Sequence, residues 1–313
     1  MSHTSERGTS RPVRVWLPEP PEVYDGLPDG LAIDVYDGTG DPPASLGEVE
    51  FYVTPYLGPR HTVELIRSMP ALKVVQTLTA GVEHVTPYLR DGVTLCNARG
   101  VHDASTAELA VGLILASLRG IPDFVRAQDA GEWVAGRREA LADKQVLILG
   151  AGSIAQALRR RLAPFECEVT CVARSAREGV AGIDQLPELL PQADVVVLLV
   201  PLTDETRGLV DAKFLARMKD GALLVNVARG QVVDTEALVA ELVSGRLRAA
   251  LDVTDPEPLP KGHPLWSAPG VLISPHVGGN TSAFLPRGRR LVSAQLRRYV
   301  AGEPLANVVT GAY

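Results

Sequence analysis

The sequence predicts an α/β protein built from two doubly wound parallel sheets. Three observations support this fold. Short apolar runs alternate with amphipathic stretches along most of the chain. Most of those runs are apolar throughout, as strands covered by helices on both faces must be. One of them, Val146-Leu147-Ile148-Leu149, ends in Gly150-Ala151-Gly152-Ser153-Ile154-Ala155 and opens into a helical pattern, which makes a strand, a tight turn and a helix start. With 313 residues, 46% of them hydrophobic, the chain is long enough for two domains, each with its own core.

In the first part of the chain, residues 13–17 read as a strand, with further short ones at 31–36 and 50–52. Residues 61–68 read as a helix. Residues 73–77 read as a strand feeding the loop Leu78-Thr79-Ala80-Gly81-Val82, and residues 93–97 as another strand. A long helix over residues 105–118 resembles a linker between domains, with Thr106 near its start and Gly120-Ile121-Pro122 after it. The strands of the second unit are expected at 145–149, 168–172, 195–200, 222–227, 249–253 and 271–273. Six strands with intervening helices fit a Rossmann-like sheet. Residues 284–301 are again helical and are expected to return to the first unit. This yields a discontinuous first domain, 1–99 plus 284–313, and a second domain, 100–283.

Composition narrows the function classes. The net charge of −6 offers no basic surface for nucleic acid. No run approaches the roughly 18 apolar residues of a membrane helix. Residues 1–12 are polar and lack an apolar core segment, which predicts a disordered tail rather than a secretory signal. The three cysteines, Cys96, Cys167 and Cys171, are odd in number and predict reduced thiols in a cytoplasmic protein, with Cys167 and Cys171 buried and inert. His84, His102 and His263 lack metal-ligand spacing with a third ligand, so no metal is expected and packing or surface roles are. His102 opens the long helix, and its reach toward a site is left open.

The glycine turn predicts a dinucleotide cofactor. Gly150 permits the turn, Gly152 lets backbone N–H groups approach a pyrophosphate, and Ser153 and Ile154 open a helix whose positive end faces the phosphates. Ala155 stands where a third glycine usually permits close helix packing. In such folds an Asp or Glu about 20 residues further on holds the ribose 2′-OH of NAD. Here the second strand runs into Ala173-Arg174-Ser175-Ala176-Arg177. A carboxylate would repel a 2′-phosphate, whereas the Arg174 guanidinium can bind one and Ser175 adds a hydroxyl. NADP is therefore expected ahead of NAD. The opposing reading makes Arg174 a solvated loop residue and lets NAD bind loosely.

Three ionisable residues fall at the ends of later strands, where open α/β sheets bind ligands: Arg229, Glu257 and His276. Singly, Arg229 is more often a strand-end cap, Glu257 an exposed turn residue and His276 a core imidazole. Together they have the parts for hydride transfer to a 2-keto acid. His276 can protonate the carbonyl oxygen, Glu257 can hold its tautomer, and Arg229 can bind the substrate carboxylate. Backbone amides of residues 79–82, Ala80 and Gly81 among them, can cradle the same carboxylate.

Further motifs accompany these: Thr79-Ala80-Gly81-Val82-Glu83-His84, Ala107-Glu108, Pro201-Leu202-Thr203-Asp204-Glu205-Thr206, Asn226-Val227-Ala228-Arg229-Gly230, His263-Pro264-Leu265-Trp266 and Ser274-Pro275-His276. In order and spacing the chain resembles the D-isomer-specific 2-hydroxyacid dehydrogenases, glyoxylate/hydroxypyruvate reductases included, over nearly its whole length. The resemblance implies Arg229, Glu257 and His276 as catalytic triad, with Ala80, Gly81, Arg229 and His276 on the substrate. It further implies cofactor contacts at Pro201, Thr206, Val227, Ala228, Asp252, His276 and Gly278, with Asp252 on the nicotinamide carboxamide. Two domains with a cleft between them and a homodimer are implied in the same way, and the expected reaction is reduction of a small 2-keto acid to the D-2-hydroxy acid.

The sequence departs from the family pattern at the missing second-strand acid and at Thr254, where many members carry a bulkier residue. Formate dehydrogenases carry Gln where Glu257 stands, so formate oxidation is not expected. The alternatives are a dehydrogenase for another acid (branched or aromatic 2-keto acid, phosphoglycerate or phosphite) and a dinucleotide-sensing, corepressor-like binding protein. Phosphoglycerate calls for a cationic cluster near residues 52–56, where only Arg60 and His61 lie. Long regulatory members add a C-terminal domain, which is not expected in a chain ending at Tyr313. The substrate's acyl group is expected against residues 53–56, Leu78 and the neighbourhood of Phe284.

Overall fold

The computed structural model describes residues 11–310, so most of the tail expected over residues 1–12 lies outside the described residues. The chain divides into two compact units. Unit 1 runs to Val101 and resumes at Ala283, and unit 2 is His102–Ser282.

Unit 1 begins with β1 (Val13–Leu17), β2 (Leu31–Val35) and β3 (Phe51–Val53), followed by α1 (Arg60–Glu64), β4 (Val74–Gln76) and β5 (Thr94–Cys96). The strands pair in parallel in the order β2-β1-β3-β4-β5. The helix expected over residues 61–68 is α1 continued by a 3-10 turn, Leu65–Ser68.

In unit 2, α2 (Asp103–Arg119) and α3 (Ile121–Ala130) precede β6 (Gln145–Leu149), α4 (Ser153–Leu162), β7 (Glu168–Ala173) and β8 (Ala181–Gly182). There follow α5 (Leu186–Leu189), β9 (Val195–Leu198), α6 (Ala212–Arg217), β10 (Leu223–Asn226), α7 (Thr235–Val243), β11 (Arg248–Leu251) and β12 (Val271–Ile273). The last helix, α8 (Phe284–Ala301), returns to unit 1, where Val292 and Leu296 pack with Val15, Phe51 and Val74. Trp16, Tyr52 and Val75 point to the opposite face of that sheet.

The sheet of unit 2 has the parallel order β12-β11-β10-β9-β6-β7-β8. The chain winds outward from β6 to β7 and β8, then crosses to β9 on the other side of β6. That reversal is the topological switch at which such sheets bind ligands beyond their carboxyl ends. Side chains alternate between two cores, Leu147, Leu149, Val196 and Leu224 on one face and Val146, Ile148, Val195 and Val225 on the other. This explains why the strands are apolar throughout, because neither face meets water.

Two features go beyond the expectation. Gly120-Ile121-Pro122 does not simply end a helix. Gly120 adopts a left-handed φ of 64° and α3 starts at once, with Pro122 in its first turn, where its missing N–H costs nothing. The sheet gains a seventh strand, β8, too short to show periodicity. Among the described residues no single helix is long and apolar enough to cross a membrane. α2 and α3 reach that length only as a pair bent by 63°, and α2 buries Ala107, Ala110, Leu113, Ile114 and Leu118 in unit 2.

Candidate active site

The glycine turn lies between β6 and α4. Gly150 has φ +122°, and a Cβ there would stand 2.4 Å from the Leu199 carbonyl oxygen, so only glycine fits. At Gly152 a Cβ would meet nothing within 4 Å. The first amides of α4 carry no side-chain cap, which leaves an open, amide-lined cradle at a helix N-terminus, the arrangement that suits a pyrophosphate. Ala155 is buried against the core. Ser153 is tied from behind, its hydroxyl donating to Asp103 Oδ1 at 3.0 Å.

At the end of β7, Arg174 is largely exposed and its guanidinium pairs with the Glu205 carboxylate. Ser175 follows it, exposed. Arg177 donates to the Ala151 carbonyl at 3.3 Å and so attaches this loop to the glycine turn. Neither Arg177 nor Glu205 stands out in the sequence individually, although each falls within a motif, residues 173–177 and 201–206. After β9, the Thr206 hydroxyl donates to Pro201 O at 2.6 Å and accepts from Thr203 N at 2.8 Å, closing the 201–206 loop on itself.

Arg229, Glu257 and His276 follow β10, β11 and β12, three neighbouring strands, at their carboxyl ends. The turn after β10 is shaped by buried Asn226, which accepts from Ala228 N at 3.0 Å and donates to Arg229 O at 2.9 Å. Val227 and Ala228 are buried, and Arg229 Nη1 donates to Ala228 O at 2.7 Å. A Cβ at Gly230 would lie 1.9 Å from Thr254 O, so the loops after β10 and β11 touch there.

Glu257 stands between Pro256 and Pro258, and its Oε1 lies 2.5 Å from His276 Nδ1. A carboxylate only accepts, so Nδ1 carries the proton and Nε2 remains for exchange. The two side chains are about two-fifths exposed, 37% and 45%. His276 has φ +53°, a left-handed conformation that a non-glycine residue adopts only when its surroundings impose it.

Asp252, expected at a nicotinamide carboxamide, imposes that conformation. Its carboxylate is buried and accepts from Ser274 Oγ at 2.6 Å and from the Val277 and Gly278 amides at 2.9 Å, while its backbone oxygen accepts from His276 N at 2.7 Å. His102 is buried at the start of α2, with Nδ1 3.2 Å from the Gly279 carbonyl in the same loop. His263 accepts from Leu265 N. Among the described residues no group of three His, Cys, Asp or Glu side chains could hold a metal ion.

In unit 1, Ala80 and Gly81 follow β4 in a loop held by its own polar groups. Thr79 Oγ1 donates to Gly81 O at 2.7 Å and Asn97 Nδ2 to Ala80 O at 2.9 Å. Tyr56 and Phe284 stack with ring centroids 4.0 Å apart, and Leu78 and Phe284 line a cavity of about 10 Å³, the size of one water.

Comparison with known proteins identifies the family. The family model for the NAD binding domain of D-isomer specific 2-hydroxyacid dehydrogenases matches residues 111–278. The human glyoxylate reductase/hydroxypyruvate reductase is 34% identical over 248 residues, 75% of this chain and 76% of the relative. A D-isomer specific 2-hydroxyacid dehydrogenase from Xanthobacter autotrophicus, solved with NADPH and MES, superposes with a TM-score of 0.81 at 31% identity, covering 96% of this chain and 98% of that one. An NADPH-dependent glyoxylate/hydroxypyruvate reductase from Sinorhizobium meliloti, solved with NADP and sulfate, gives 0.81 at 29% identity with the same coverage. The strand-end residues, the glycine cradle and these matches place the chain in the D-isomer specific 2-hydroxyacid dehydrogenase family of NAD(P)-dependent oxidoreductases.

Proposed function

We propose that this enzyme reduces a small 2-keto acid of the glyoxylate or hydroxypyruvate type to the D-2-hydroxy acid, with NADP(H) preferred over NAD(H). The observation that carries the reading is the Glu257–His276 pair, which follows the strand next to the one that bears Arg229 and the strand beyond it. The names of the human and Sinorhizobium relatives support the substrate class.

The uncapped amides of α4 and the open face of Gly152 hold the pyrophosphate, and Arg174 and Ser175 take the 2′-phosphate. The bound nicotinamide supplies the hydride. Arg229 binds the substrate carboxylate and polarises the carbonyl. Glu257 keeps Nδ1 of His276 protonated and turns Nε2 to the carbonyl oxygen. As hydride reaches the keto carbon, Nε2 gives its proton to that oxygen, which completes the hydroxyl group. Asp252 acts by fixing the backbone on which His276 sits. A homodimer, on the family likeness, and a cytoplasmic location, on the free thiols, belong to the same proposal.

Initial rates of reduced-nicotinamide oxidation with glyoxylate, hydroxypyruvate, pyruvate and phenylpyruvate, each with NADPH and NADH, test this. Turnover of glyoxylate or hydroxypyruvate, faster with NADPH, is the expected result. Phenylpyruvate as the best substrate would overturn the substrate class, and no turnover despite dinucleotide binding would move the chain to the corepressor-like reading.

A further inference from the structure

We propose that Glu205 sets the balance between NADP(H) and NAD(H) by competing with a 2′-phosphate for Arg174 and by restoring, from another loop, the ribose-facing carboxylate that β7 lacks. This rests on reading the end of β7 as the contact to the adenosine ribose.

That strand ends in Ala173, and the acid that would hold a ribose hydroxyl is replaced by Arg174. Arg174 is not an idle cation, because the Glu205 carboxylate meets its guanidinium. The two residues lie on different loops, after β7 and after β9, so the missing acid is absent from the strand and present in space beside it. Glu205 is held there by its neighbours. Thr206 bonds to Pro201 O and Thr203 N, and Arg207 N donates to Thr203 O at 2.9 Å, so the loop backbone that bears Glu205 is fixed. Arg174 is placed as well, because Arg177 anchors its loop on the Ala151 carbonyl.

The two cofactors meet this pair differently. A 2′-phosphate carries nearly two negative charges, so to reach Arg174 it must displace Glu205 and then remain beside it. A 2′-OH has no charge to repel and can donate to the carboxylate. Arg174 thus favours NADP(H), Glu205 moderates that preference, and the pair makes the site tolerant of both cofactors. Both side chains are mostly exposed, 72% and 66%, so water screens the effect and it amounts to a factor of several rather than orders of magnitude.

The test is equilibrium binding of NADPH and of NADH, by titration calorimetry without substrate, to the wild type, Glu205→Gln, Glu205→Ala and Arg174→Ala. Glu205→Gln removes the charge and keeps an acceptor. NADPH should bind roughly two- to fivefold tighter while NADH stays within about twofold. Glu205→Ala also removes the acceptor, so NADPH should tighten and NADH weaken. An unchanged Kd ratio in both Glu205 variants, with melting temperatures at the wild-type value, would overturn the role of Glu205. Arg174→Ala separates that failure from failure of the underlying reading. A selective loss of NADPH affinity there, with no effect of Glu205, removes Glu205 alone, whereas equal effects on both cofactors remove the ribose assignment itself.

Discussion

His276 shows how much of the site is decided residue by residue. A left-handed φ on a non-glycine residue costs about 1–3 kcal/mol. Here it is maintained by Asp252, which receives the His276 amide on its backbone oxygen and the next two amides on its carboxylate. The backbone kink and the bond from Nδ1 to Glu257 together define where Nε2 can act. A general acid is worth about 10²–10⁴ in rate, so His276→Ala should lower kcat by at least about 100-fold while the melting temperature stays near that of the wild type. Glu257→Gln should lower kcat by less, because the amide can still meet Nδ1 but no longer supplies a charge. Steady-state rates for both variants decide this, and a His276→Ala enzyme with near wild-type kcat would refute the assignment.

At the scale of elements, the loops after β10 and β11 approach more closely than any side chain allows. Gly230 sits against the Thr254 backbone, with Arg229 before it and Glu257 three residues beyond Thr254. Gly230→Ala must push the two loops apart. Overpacking of this kind costs about 1–3 kcal/mol, and here the displaced backbone carries two of the three proposed catalytic residues. A lower melting temperature together with a reduced kcat is expected, and a variant equal to wild type in both would show that the loops do not meet. The elements themselves are largely legible in the sequence. β12 and α8 begin and end where their patterns do. β9 stops at Leu198, two residues short of its apolar run, because Leu199 and Val200 already belong to the turn toward Pro201. α3 is not legible, since Gly120 and Pro122 look alike in a helix stop and in a helix restart. Arg229, Glu257 and His276 are legible as strand-end residues, and chain order alone suggests that their strands are neighbours. The Arg174–Glu205 pair and the Asp252 clamp are not, because each joins segments that only the folded sheet brings together.

For the molecule as a whole, the carboxyl ends of the unit 2 sheet carry the proposed chemistry and the amino ends carry much of its electrostatic anchorage. Asp194 stands at the start of β9, where its carboxylate accepts from Gln145 N at 2.9 Å and from Lys219 Nζ at 2.7 Å, with Lys144 Nζ at 3.8 Å. Its backbone oxygen accepts from Leu223 N. The amino ends of β6, β9 and β10 therefore meet at one residue. Burial alone would raise the Asp194 carboxyl, but the Lys219 bond, the Gln145 amide and the Lys144 charge outweigh it and hold the group below the usual carboxylate range. A carboxyl depressed on folding stabilises the fold above its unfolded value, near 3.9, and loses that contribution as the pH falls through its lower folded value. Asp194→Asn should therefore be less stable than wild type at pH 7, with the gap narrowing as the pH falls below about 4 toward the lower folded value of the wild-type group. Urea unfolding at pH 7 and at pH 3.5 measures the gap directly. Dinucleotide affinity at pH 7 should be unchanged, since Asp194 lies at the opposite end of the strands from the glycine turn. A stability gap independent of pH would mean that Asp194 acts through its hydrogen-bond geometry alone and that its charge does not anchor the sheet.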